Sequence, residues 1–397
     1  MEHRASGEYQ IVYQEAEKMS YDIATKCIHL EGACKGSIYG AVSFPIFQTA
    51  TFAHPGVGQS TGYDYSRLQN PTREQLERIV ASLENGCDAL AYSSGMAAIA
   101  AVMELFAPGD HLIVEEDLYG GSVRLFQNVS QKNGLTFTCA DISQENIEAY
   151  ITPDTKAVFI ETPTNPMMHV VDIAKLAQIT KAHGLLLIVD NTFLSPYLQN
   201  PLDLGADLVI HSGTKYLGGH NDTLAGFVVT GSEELSEKLR FLIKTTGSML
   251  SPFDSWLLIR GIQTLSVRMK AAQDNAYQIA WWLTKQKHVK KVFYPGLPSH
   301  PGHEIMKKQS RGFGAMVSFE VDSQEYACSI LQKVKLIQYA ESLGGTETLI
   351  TYPITQTHAD VPKELLEKNG ITGGLLRLSA GIEDAEDLIA DLSQAME

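Results

Sequence analysis

Between residues 75 and 230, amphipathic helical stretches alternate with short apolar runs that end in polar residues. That is the pattern of parallel strands covered by helices on both faces. Leu76, Ile79, Val80 and Leu83 share one stripe of a helix expected over residues 72–83. A buried strand at 89–92 and a helix over 95–106 follow, then a turn at Pro108-Gly109-Asp110. Further strands are expected at 111–114, 157–160, 185–189 and 208–211, with a helix over 173–183 closed by Gly184. Beyond Pro252 the pattern predicts one long helical stretch, 253–286, and then a strand, helix and strand at 315–321, 325–334 and 336–339. A last strand at Leu375–Ser379 precedes an amphipathic helix over Ala385–Met396, which has Glu383, Asp384 and Glu386 at its start. The expected architecture is therefore α/β. It consists of an arm (1–60), a large domain (61–252) and a smaller α+β domain (253–397).

Composition narrows the partners. The 397 residues are 44% hydrophobic, ample for a core, and the formal net charge of −15 comes without any basic run. Nucleic acid and anionic membranes are thus excluded as main partners, and small molecules are favoured. The longest apolar runs are too short to span a bilayer and the first twenty residues lack a signal-peptide core, so a cytoplasmic location is expected. Five scattered cysteines, Cys27, Cys34, Cys87, Cys139 and Cys328, fit neither a zinc site nor a disulfide framework and are read as reduced thiols.

The polar residues at the strand ends carry the chemistry. The run 185–189 ends in Asp190-Asn191-Thr192, and 208–211 ends in Ser212-Gly213-Thr214-Lys215. In doubly wound sheets these carboxyl ends share one working edge. A carboxylate and an amine side by side suit pyridoxal 5′-phosphate (PLP): the lysine bonds its aldehyde, and the acid keeps its ring nitrogen protonated. Ser93-Ser94-Gly95-Met96 supplies a small-residue turn into a helix start, where backbone amides receive a phosphate. Taken singly, such an Asp is commonly a cap, such a turn only a turn and such a Lys a solvated charge. Their order and spacing make the combination informative.

Several ordered motifs extend this reading. They are Tyr65-Ser66-Arg67, Asn70-Pro71-Thr72-Arg73, Ser94-Gly95-Met96, Tyr119-Gly120-Gly121, the run from Glu161 to Pro166, Asp190-Asn191-Thr192, the run from Ser212 to Tyr216, and the run from Glu341 to Gly345. From about residue 22 onward the chain resembles the Cys/Met-metabolism PLP enzymes, the trans-sulfuration family of cystathionine synthases and lyases. The resemblance implies a fold-type I PLP-dependent transferase fold. It implies that Ser94, Gly95, Met96, Ser212 and Thr214 bind the phosphate, with Tyr65 and Arg67 reaching in from a neighbouring subunit. Tyr119 would stack on the ring and aid proton transfer, Asp190 would hold the ring nitrogen, and Arg377 with Ser342 would bind the substrate carboxylate. Arg124, Asn165 and Thr357 complete the implied substrate pocket. A homo-oligomer follows, a tetramer built from active-site-sharing dimers. Without the resemblance, Arg377 would read as a surface ion pair and Tyr119 as a packed aromatic. Gly213 stands where relatives often carry another small or apolar residue, which predicts an intact but looser turn around Lys215.

Within the family, Gly121 occupies the position of a cysteine in methionine γ-lyases and argues against that activity. Asp64 and Glu341 form an acidic pair suited to the ammonium group of a second amino acid, and Asp64 resembles the synthases, where γ-lyases more often have Glu. The bland reading makes both solvated charges at a rim. The resemblance is greatest to bacterial cystathionine γ-synthases that also accept sulfide, over residues 60–65 and 351–360. The expected reaction is γ-replacement on an O-acylhomoserine by cysteine or sulfide, with Lys215 as proton shuttle; a cystathionine β- or γ-lyase is the alternative. Two other classes fit less well. Gly56-Val57-Gly58-Gln59-Ser60-Thr61 follows no strand and opens no helix, so it is no dinucleotide loop. His211, His220, His300 and His303 show no ligand spacing, so no metal site is expected.

Overall fold

Ser94, Asp172, Ser232, Ser251 and Ser323 each accept a backbone amide with their side chains, and a helix starts after every one of them. Each such cap is worth about 1 kcal/mol and fixes where a strand-to-helix turn ends. The structure is a computed structural model that describes residues 21–29, 41–359, 361 and 363–397. The polar N-terminal stretch, Cys34 and Asp360 lie outside the described residues. The four described cysteines are free.

Seven strands form the first sheet: Asp88–Tyr92 (β1), His111–Glu115 (β2), Thr136–Ala140 (β3), Thr155–Glu161 (β4), Leu186–Asp190 (β5), Leu208–Ser212 (β6) and Gly226–Thr230 (β7). Their order is β1-β7-β6-β5-β4-β2-β3. All the pairings are parallel except those of β7, which runs against both β1 and β6. One apolar cluster on one face of this sheet holds Ile99, Val102, Phe159, Ile188 and Ile210; another on the opposite face holds Leu76, Val158, Val189 and Val209. Strand alternation then puts Glu161, Asp190 and Ser212 on the same face as Phe159, Ile188 and Ile210, at the carboxyl ends of three adjacent strands.

The second sheet is built from Val289–Phe293 (β8), Met316–Val321 (β9), Gln338–Tyr339 (β10), Leu349–Thr351 (β11) and Leu375–Ser379 (β12), ordered β10-β11-β12-β9-β8. Arg377 is the centre of β12, opposite Thr351 of β11.

Several elements differ from the sequence reading. The long stretch after Pro252 is two helices, Pro252–Ile262 and Leu265–Leu283. The carbonyl of Gly261, which would continue the ladder, accepts instead from the Arg268 guanidinium at 2.7 Å and from the Thr264 amide at 3.1 Å. The helix Gly95–Met103 stops three residues early. The helix Glu233–Thr246 and strands β3, β7, β8 and β11 were not anticipated. Of the arm, the described part lies against its own chain: the Phe47 amide donates to Thr72 Oγ1 at 2.9 Å, and Trp256 Nε1 donates to the Phe44 carbonyl at 3.1 Å.

Candidate active site

The amine of Lys215 lies on the connection between β6 and β7, just past the Asp190 and Ser212 strand ends. Its Nζ donates to Ser342 Oγ at 2.7 Å. Burial, helped by the nearby charge of Arg377, depresses the lysine to about 8. A lysine so placed is an amine ready to attack a carbonyl near neutral pH. Capture of PLP by the apoenzyme is accordingly expected to quicken about tenfold per pH unit up to about pH 8 and then level off, because below that point the amine is protonated. Stopped-flow absorbance across a pH series measures it; a rise continuing toward pH 10 would mean an ordinary lysine.

The turn that carries Lys215 is packed rather than loose. A Cβ on Gly213 would stand 2.6 Å from the Phe227 ring and 3.0 Å from Ala225 Cβ, so the space of a larger residue is already filled. Thr214 Oγ1 donates to the Ala225 carbonyl and accepts from its amide at 3.0 Å, which ties the lysine turn to the start of β7.

Asp190 is buried, and burial pushes its carboxyl up; Thr192 holds one oxygen through its amide and hydroxyl. Its other oxygen takes none of these bonds. Such a carboxylate is stabilised as an anion by a cationic N–H, which a protonated pyridine nitrogen supplies. Ser94 Oγ caps its helix by accepting from the Ala97 amide, so the amides of Gly95 and Met96, first in the helix, have no intrahelical acceptor. A Cβ on Gly95 would come within 3.0 Å of Ser212, and its absence leaves the cradle beside the Ser212 hydroxyl open. Lys215, Asp190, the Ser212 hydroxyl and the two amides thus fit the amine, nitrogen and phosphate needs of PLP.

Arg377 is 1% exposed and reaches across from the second sheet. It donates to Asn165 Oδ1 at 2.8 Å, to the Ser342 carbonyl at 3.0 Å and to Thr351 Oγ1 at 3.2 Å, while its Nε has no acceptor among the described residues. Burial brings the guanidinium down to about 10, still charged at neutral pH. An unsatisfied N–H on a buried guanidinium invites an anionic ligand such as a carboxylate. Ser342, at φ 91°, holds a backbone conformation uncommon outside glycine while accepting from both Lys215 and Arg377. Beside it runs a cleft of about 860 Å³, whose walls include Ser93, Thr214, Glu341 and Ser342. Glu341 is exposed there, and its charge acts on both Lys215 and Arg377.

Tyr119 is 38% exposed, and its ring lies over Gly121: a Cβ there would meet the ring at 2.4 Å and Met96 Sδ at 3.0 Å. Gly121→Ala is expected to displace the ring, lowering kcat/KM about tenfold and stability by about 1–3 kcal/mol. Steady-state kinetics and thermal unfolding measure both, and wild-type values would show that the ring has room.

Other anticipated residues are not brought to Lys215 within one chain. Arg67 stacks on the Tyr65 ring at 5.6 Å and donates to the Lys244 carbonyl. Asp64 accepts from Ser60 at 2.8 Å and faces His54. It makes no described contact with Glu341. Arg124 is exposed on the helix Gly120–Leu125. Thr357 bonds its neighbour His358 at 2.8 Å, and its carbonyl sits against Gly120. Sequence reasoning assigned no role to Glu161 or His358. His358 is buried, and burial next to Arg377 lowers its imidazole to about 4. Among the described residues, no group of three or more His, Cys, Asp or Glu side chains is placed to hold a metal, and no helix is long and apolar enough to cross a membrane.

Known proteins share this sequence pattern and fold. The sequence pattern of the family described as "Cys/Met metabolism PLP-dependent enzyme" matches residues 24–397. The chain belongs to this PLP-dependent family. Its relatives include the cystathionine γ-lyase of Bacillus subtilis (strain 168), 52% identical over 90% of this chain and 95% of that protein. The cystathionine γ-synthase/O-acetylhomoserine (thiol)-lyase of the same strain is 51% identical over 95% of this chain and 97% of its own. Among solved structures, cystathionine γ-synthase of Xanthomonas oryzae pv. oryzae in complex with aminoacrylate and cysteine has a TM-score of 0.93 at 41% identity, covering 95% of this chain and 98% of that one. The fold-type I class and the PLP requirement follow from these matches, and the chain is a PLP-dependent enzyme of trans-sulfuration chemistry.

Proposed function

We propose that this enzyme replaces the acyloxy group of an O-acylhomoserine with the sulfur of cysteine, giving cystathionine and the free carboxylic acid, and that it accepts sulfide in place of cysteine. The observation that carries this reading is Glu341, an exposed carboxylate on the cleft beside Lys215, where the ammonium group of a second amino acid can be paired. The similarity to a γ-synthase/thiol-lyase supports it, and the comparable identity to a γ-lyase keeps elimination as the second reading.

PLP supplies the electron sink that acidifies the hydrogens of a bound amino acid. Arg377 holds the substrate α-carboxylate, and Asn165 fixes the guanidinium. Lys215 Nζ, steadied by Ser342 Oγ, takes the proton from Cα and moves protons at Cβ as the acyloxy group leaves Cγ. Cysteine sulfur then bonds Cγ, its thiol proton balancing the departing carboxylate. Tyr119 would stack on the ring, and Ser94, Gly95, Met96, Ser212 and Thr214 would hold the phosphate. Tyr65 and Arg67, which make no described contact with Lys215 of their own chain, serve a neighbouring subunit's site in a homotetramer of active-site-sharing dimers.

The test incubates holoenzyme with O-acetyl- or O-succinylhomoserine and cysteine and compares cystathionine with 2-oxobutanoate. Cystathionine is expected as the main product. Dominant 2-oxobutanoate, or inactivity here with rapid pyruvate release from cystathionine, would replace the synthase with a γ- or β-lyase.

A further inference from the structure

Among buried acids to which the proposed mechanism gives no task, Glu161 is the one nearest the chemistry. It ends β4 directly opposite Asp190 of β5, on the same face of the sheet. Its Oε2 accepts the backbone amide of Tyr119 at 3.0 Å, and it is 5% exposed. The Tyr119 carbonyl in turn accepts from the Ser122 amide at 2.8 Å, so the residue is held from both sides at the start of its short helix. The turn leading to Tyr119 has a second tie: Asp117 accepts from Thr164 Oγ1 and, at 3.3 Å, from the Met167 amide, in the loop that carries Asn165. Glu161 is therefore the tie nearest the ring itself.

We propose that Glu161 is a positioning residue for the PLP site, which grips the Tyr119 amide and fixes where the Tyr119 ring stands relative to Asp190. The surroundings favour the protonated acid: Asp190 and Asp117 both act on Glu161 to raise its carboxyl, while the charge of Arg377, whose partners Asn165, Ser342 and Thr351 are all neutral, opposes them in part. Two adjoining buried carboxylates do not both ionise, and Asp190 is the one a protonated ring nitrogen would stabilise. Burial and the Asp190 charge both favour the protonated form of Glu161. A protonated Glu offers the Tyr119 amide a carbonyl oxygen, and so does Gln.

The inference rests on the reading that Lys215, Asp190 and Tyr119 hold PLP. Its test is PLP titration into apoenzyme, followed by visible absorbance and by induced circular dichroism of the bound cofactor. Glu161→Ala is expected to weaken PLP binding about tenfold, the order of one lost buried hydrogen bond, and to diminish the dichroism. Glu161→Asp, acidic but too short to reach the amide, is expected to behave like the alanine variant. Glu161→Gln is expected to restore both readouts to within about twofold of wild type. Should the alanine chain fail to fold, the Asp and Gln variants decide. Wild-type values in the Asp or Ala variant, or a Gln variant as impaired as they are, would overturn the proposal, the latter because charge rather than grip would then be at work. Failure of the underlying reading looks different: wild-type protein itself would form no visible band dependent on Lys215.

Discussion

Lys215→Ala is expected to abolish the visible absorbance of the bound cofactor and to lower turnover by about 10⁴-fold or more, with the fold retained. In the proposed mechanism the side chain has two tasks, attachment and proton movement, and both depend on a free amine at about neutral pH, which burial beside Arg377 favours. Removing the stem leaves no buried charge behind, and Ser342 Oγ, its one described partner, borders the open cleft. Stability should therefore change by less than about 2 kcal/mol. Turnover assays, absorbance spectra and denaturant unfolding together check the prediction. A yellow, active alanine variant would move the attachment to another amine.

Arg377→Ala is expected to be damaging on both counts. Asn165, Thr351 and the Ser342 carbonyl all lose a charged donor in a dry interior, a change of about 3–5 kcal/mol. The substrate carboxylate loses its paired cation, and kcat/KM should fall about 10²–10³-fold, with most of the loss in KM. Arg377→Lys separates the two effects, since it keeps a cation but lacks the planar guanidinium fork that reaches a carboxylate with two parallel N–H groups. It should recover more stability than activity. Unfolding midpoints and the separate kcat and KM values measure this. An alanine variant of normal KM would place the carboxylate elsewhere.

How much of this could be read from the sequence depended on how local the cause was. Lys215, Asp190 and the Ser94-Gly95 turn were legible because each ends an apolar run whose geometry a parallel sheet dictates. Strand β3 was not, since Thr136–Ala140 is an edge strand with only its last residue buried and so carries little apolar signal. Strand β7 is apolar but follows β6 after a loop with no helix, which breaks the alternating rhythm expected of a wound sheet. The break at Gly261 has a tertiary cause, the Arg268 side chain, which periodicity does not record. Arg377 was legible only through the family resemblance, because Asn165, Ser342 and Thr351 are scattered along the chain and the residue alone reads as a surface charge. Glu161 looked like an ordinary acid after a strand; its meaning comes from Asp190 across the register and the Tyr119 amide.

The reversal of β7 has a practical corollary. It makes the β6–β7 connection a wide hairpin over residues 213–225, whose two ends are stitched together by Thr214 and Ala225, so the amine is anchored beside the sheet edge. Arg377, the proposed carboxylate clamp, belongs to another sheet, and Ser342 bonds both it and the amine. Because the Arg377 charge also acts on Lys215, reactivity and selectivity are linked across the two sheets. An engineer who reshapes the β10–β12 lobe to change which amino acids are accepted must keep Arg377 and Ser342 to keep the same nucleophile.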